Sequence, residues 1–204
     1  MKLLNVSGLV ATILILSAVA HSSPDTARRY LAISSELAKK WDSSARLTSI
    51  RETRTLQQDG STKCNPDKPS SGWTYEYTSS STDDHFFVFG CGGSTATLHQ
   101  VLNGIPKTEG LKNDFMDSDS LIKVANKLKQ EWGHTECGVD AWLHVKRRDK
   151  KADGRTSETT IWQLTFYCEP EMKGGGTQKL TASADIDAKT GMVLYKRSPV
   201  PVGE

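Results

Sequence analysis

The sequence predicts an α+β fold: a tandem repeat of two units, each one long helix packed on a curved antiparallel sheet of three to four strands. Three observations carry this expectation. Two apolar stripes at helical spacing, Ala27, Tyr30, Leu31, Leu37, Ala38, Trp41 and Leu121, Val124, Ala125, Leu128, Trp132, each precede segments of period two. Displacing the second stripe by 91 positions lays Trp132 on Trp41, so that LAKKW (37–41) matches LKQEW (128–132), an internal repeat. Each half then carries an Asp-Gly turn, Asp59-Gly60 or Asp153-Gly154, ahead of a strand that opens on Trp73 or Trp162.

Residues 1–20 combine Lys2, an apolar stretch over 9–16 and the A-x-A site Ala18-Val19-Ala20, the pattern of a cleaved signal peptide. The stretch is shorter than the roughly 20 residues that span a bilayer, so no stable membrane anchor is expected. The first unit, 21–106, opens on Ser23-Pro24-Asp25, a cap, a first-turn proline and an acid, which predicts a helix over 24–41. In its strands Trp73, Tyr75 and Tyr77 alternate with Thr74, Glu76 and Thr78, the period of a half-buried strand. The run 86–89 is apolar on both faces, which predicts cover on both sides, the second unit being the economical candidate. A Gly/Pro/Lys-rich linker is placed at 107–116. In the second unit, 117–204, the acids of Asp117-Ser118-Asp119 start a helix over 119–132. Its strands alternate Trp162, Leu164 and Phe166 with Gln163, Thr165 and Tyr167, and a third covers 180–186.

Twenty-six basic against 24 acidic residues give a net +2, which supplies no field to draw in nucleic acid. The four cysteines, Cys64, Cys91, Cys137 and Cys168, form an even set in an exported chain and predict disulfides within units, Cys64 with Cys91 and Cys137 with Cys168. Periplasmic or secreted localisation follows. There is no G-x-S-x-G, H-E-x-x-H, C-x-x-C or phosphate-binding loop, so no catalytic residue, metal or cofactor is assigned. Asp83-Asp84-His85 reads as a hairpin turn meeting a strand, and His134, Glu136 and Cys137 lack a fourth ligand. Trp41, Trp73, Trp132 and Trp162 read as core. Trp142 differs: with Ala141, Leu143 and Val145 inward, Trp142, His144 and Lys146 share the outer face and are the candidate binding residues. The basic run 146–151 reads as a solvated hairpin tip.

The ending Asp185-Ile186-Asp187-Ala188-Lys189-Thr190-Gly191-Met192-Val193-Leu194, together with the preceding helix and strands, resembles a PepSY domain over 117–197. In that family the last hairpin reads Asp-Ala-x-Thr-Gly between hydrophobic residues. Residues 24–103 share the resemblance only through the repeat, since Cys91-Gly92-Gly93-Ser94 stands where that motif belongs. The run 100–104 is also similar to the Gln-x-Val-x-Gly loop by which cystatins enter a protease cleft, but it lies near the unit boundary. The PepSY resemblance implies binding or restraint of peptidases and no cofactor. The expected function is an exported non-catalytic binding module that inhibits or regulates a secreted peptidase. The alternative is a small exported enzyme or small-ligand carrier with a pocket between helix and sheet.

Overall fold

Among the described residues ten elements follow in the order α1 (Leu31–Trp41), β1 (Arg46–Glu52), β2 (Trp73–Thr78), β3 (Asp84–Cys91), β4 (Ser94–Val101), α2 (Ser118–Trp132), β5 (Gly138–Lys150), β6 (Thr156–Cys168), β7 (Leu180–Asp187) and β8 (Val193–Pro201). The computed structural model describes residues 24–52, 56–65, 67–68, 71–101, 110–150, 156–170, 175 and 177–202. The expectations on 1–20, on 102–109 and on Asp153-Gly154 fall outside these residues.

Period two dictates one apolar face. Ile50, Tyr75 and Val88 on one side, and Leu143, Trp162 and Ile186 on the other, are aligned by register and all buried. Both helices lie on this face. Trp41 at the end of α1 stacks on Phe86 of β3 at 5.3 Å, and Trp132 at the end of α2 meets Phe166 of β6 edge-on at 5.0 Å. α2 is well delimited: the Asp117 side chain accepts from the Ser118 N–H at 2.8 Å, and Gly133 closes the helix at φ 74°.

The expected pair of separate helix-on-sheet units does not form. All eight strands belong to one antiparallel sheet of order β4-β3-β2-β1-β5-β6-β7-β8, and the two helices share one core beneath it. The physical reason is at the seam. Separate units would leave β1 and β5 as bare edges with unpaired backbone groups. Instead they pair, Ser49 opposite His144, Ile50 opposite Leu143 and Arg51 opposite Trp142. Beneath this seam Trp73 and Trp162, both fully buried, meet edge-on at 6.2 Å. At the helix starts the buried Ser118 hydroxyl donates to the Gly60 carbonyl at 2.6 Å and accepts from the Ala27 N–H at 3.0 Å. The second half therefore joins the edge of the first. It does not cover the outer face of β3, where Phe87 and Phe89 remain half-buried.

The first helix is also shorter than the predicted 24–41. Residues 24–26 are irregular and 27–30 form turns because Asp25 is committed elsewhere. Its carboxylate accepts from the Gly92 N–H at 2.8 Å and the Tyr30 hydroxyl at 2.7 Å, and its carbonyl accepts from Trp73 Nε1 at 2.5 Å. Burial, with the Asp25 bond second, pushes the Tyr30 phenol up to about 12. The cysteines pair Cys64–Cys91 and Cys137–Cys168, Cα atoms 5.7 and 4.3 Å apart, each within one half. Among the described residues no helix is long and apolar enough to cross a membrane.

Candidate functional site

Alternation along β5 turns Ala141, Leu143 and Val145 toward the helices and presents Trp142, His144 and Lys146 on the opposite face. The structure brings all three onto one patch. Trp142 is 40% exposed, and its ring lies over that of His144, centroids 4.0 Å apart and planes 29° from parallel. His144 is half-buried, and its Nδ1 is shielded without a hydrogen-bond partner. Burial therefore holds the imidazole below its ordinary value of 6.5, although the nearby Asp185 charge opposes the shift. Lys146 donates to Asp185 at 2.5 Å, which gives that buried carboxylate its counter-charge.

Cross-strand register extends the patch. Trp142 faces Gln163, Gln163 faces Asp185 and Asp185 faces Tyr195, which is 55% exposed. Tyr167, 49% exposed, lies on the same face of β6. Burial and the charge of Asp140 push its phenol up. The result is an aromatic trio, Trp142, Tyr167 and Tyr195, around hydrogen-bonding side chains on the sheet face that the helices leave open. Sequence reasoning missed Tyr167, Tyr195 and Asp185. Tyr167 carried a readable signal, because it falls in the polar phase of the Trp162–Leu164–Phe166 alternation.

Across the seam a polar chain runs along the same face. Ser49 donates to Glu76 Oε2 at 2.8 Å, and Glu76 Oε1 lies 2.7 Å from His85 Nδ1. This does not make an activated nucleophile, since the serine is bonded to the carboxylate instead of to an imidazole. His85 is 3% exposed. The chain ties β1, β2 and β3 together.

The other sequence candidates disperse. Within Asp83-Asp84-His85, Asp84 pairs with His99 Nε2 at 3.0 Å while His85 turns to Glu76. His134 and Glu136 approach to 3.3 Å, but Cys137 is bonded to Cys168. Gln100 and Val101 end β4, and 102–104 lie outside the described residues. Among the described residues no group of three or more His, Cys, Asp or Glu is placed to hold a metal ion. No family model, no curated protein and no solved structure matches the chain.

Proposed function

We propose that this chain is an exported, non-catalytic binding module whose open sheet face takes a protein partner, a secreted peptidase in the reading that the PepSY resemblance favours. The exposed Trp142, stacked on His144 within the aromatic trio, carries the reading. Amphipathic rings held by a rigid sheet offer large contact area at small entropic cost, and such anchors dominate protein interfaces. The two disulfides fit an oxidising compartment and support export.

The experiment is capture of exported peptidases on the immobilised oxidised protein, followed by inhibition assays with wild type and Trp142→Ala. The expected result is a bound or slowed peptidase whose affinity falls more than tenfold in Trp142→Ala, the size of a hot-spot loss of about 2 kcal/mol. A peptidase set neither bound nor slowed removes the peptidase reading. An unaffected Trp142→Ala removes this face.

One observation favours the small-ligand reading as second. A crevice of 630 Å³ lies between α1 and 110–113, lined by Lys39, Arg46, Leu47, Tyr77 and Leu111. Its two cations and hydroxyl suit a small carboxylate. A thermal-shift series of carboxylates on wild type and Arg46→Gln separates this reading from the first.

A further inference from the structure

The two edges of the sheet are built differently. β8 is guarded: it carries Pro199 and Pro201, the charges of Lys196 and Arg197, and irregular register against β7. β4, Ser94–Val101, has no proline, glycine, acid, lysine or arginine, its His99 is held by Asp84 of β3, and it pairs with β3 without a bulge from Cys91↔Ser94 to Asp84↔Val101. Gly92 and Gly93, at φ 57° and 85°, make the two-residue turn with both central residues left-handed. That turn makes Cys91 and Ser94 a hydrogen-bonded pair, and alternation then fixes the rest of the ladder. Ala96, Leu98 and Gln100 bond to β3. Thr95, Thr97, His99 and Val101 point their N–H and C=O groups out of the sheet. Leu98 and Val101 are two of the exposed large apolar side chains, at 48% and 59%.

We propose that β4 is a self-pairing edge, and that two copies of this chain join β4 to β4 antiparallel about a two-fold axis at Leu98. This lies at the opposite end of the sheet from the Trp142 patch and stands independently of the peptidase reading. The occupant is a second copy because the strand is self-complementary. In this register Thr95 faces Val101 of the second copy and Thr97 faces its His99, so all four outward residues are used and about eight hydrogen bonds form. Leu98 covers Leu98 of the second copy in a close non-hydrogen-bonded pair. With no fixed charge on the strand, antiparallel addition sets no carboxylate or ammonium against its like. α1 lies against β2 and β3, and its Trp41 reaches the ring of His99 on β4 at 5.5 Å, while among the described residues no strand pairs with β4 on the side away from β3, where the second copy's strand adds in the plane of the sheet. An edge of this length buries less than the roughly 1,200 Å² of a standard interface, so the dimer depends on concentration.

Sedimentation equilibrium of the oxidised protein over a wide concentration range is expected to show monomer and dimer. Thr97→Pro removes an N–H that points away from β3, and it should raise the dissociation constant at least tenfold. Under mild oxidation Leu98→Cys should cross-link to its mate, whereas Gln100→Cys, which faces Ala96 of the second copy, should not. The cross-linking pair decides the matter even if Thr97→Pro fails to fold. A strictly monomeric protein, a dimer indifferent to Thr97→Pro in a folded variant, or equal cross-linking of the two cysteine variants overturns the proposal.

Discussion

Replacing Trp73 probes whether the sheet is one cooperative body. The indole is fully buried, its Nε1 donates to the Asp25 carbonyl at 2.5 Å, and its ring meets Trp162 across the seam. Trp73→Ala removes a core side chain, at about 3 to 5 kcal/mol. It also removes the indole donor from the half-buried Asp25 carbonyl, at about 1 kcal/mol. The sum approaches the whole stability of many domains, so the gentler Trp73→Phe is the working variant, expected to cost about 1 to 3 kcal/mol through the lost hydrogen bond and lost volume. Native-state hydrogen exchange reads the outcome strand by strand. If β1 and β5 make one body, protection of the slowest amides falls by the same factor in β3 and in β6. Protection lost in β2 and β3 but intact in β6 and β7 means that the halves open separately, and the single-core description is then wrong. A double-mutant cycle of Trp73→Leu with Trp162→Leu, in which each single change removes the ring pair, should give a coupling of about 0.5 to 1.5 kcal/mol, the value of an edge-on aromatic pair.

Ser118→Ala leaves the Gly60 carbonyl without its donor and the Ala27 N–H without its acceptor, so urea denaturation should show a loss of about 1 to 3 kcal/mol despite a change of one atom. The double change Cys64→Ser with Cys91→Ser opens a loop of sequence separation 27 and should cost about 3.5 kcal/mol in the chain-entropy model, read from the same denaturation curves. His144 titrates below its ordinary value in the folded state, so between that lowered value and about 6.5 the unfolded chain binds the extra proton. Its contribution is present above about pH 6.5 and is lost as pH falls through the folded value. Denaturation midpoints should therefore decline from about pH 7 to 5, and the decline should be shallower in His144→Gln.

The alternation of Trp73, Tyr75 and Tyr77, and of Trp162, Leu164 and Phe166, was legible because one face of each strand is buried and the period of a strand is two. The outer phase of β5, with Trp142, His144 and Lys146, was legible for the same reason. The seam was not. Ile50 and Leu143 are distant in sequence, and nothing local in 46–52 says whether β1 ends the sheet or continues into β5. The buried junction at Ser118 was equally hidden, since a serine at a helix start reads as a cap and here bonds to Gly60 and Ala27. The apolar run 86–89 misled because it marks a strand paired on both sides, and the run alone does not say whether the neighbouring half adds at the edge or on the face.

Side-chain footprinting with hydroxyl radicals bears most directly on the open face. The oxidised protein is labelled alone and again in the culture fluid of the cells that make it, and the two rates are compared residue by residue. Trp142, Tyr167 and Tyr195 should react several-fold more slowly in the fluid, while exposed Ile33 on α1 keeps its rate. Equal rates for the three aromatic side chains in both samples would contradict a partner on this face.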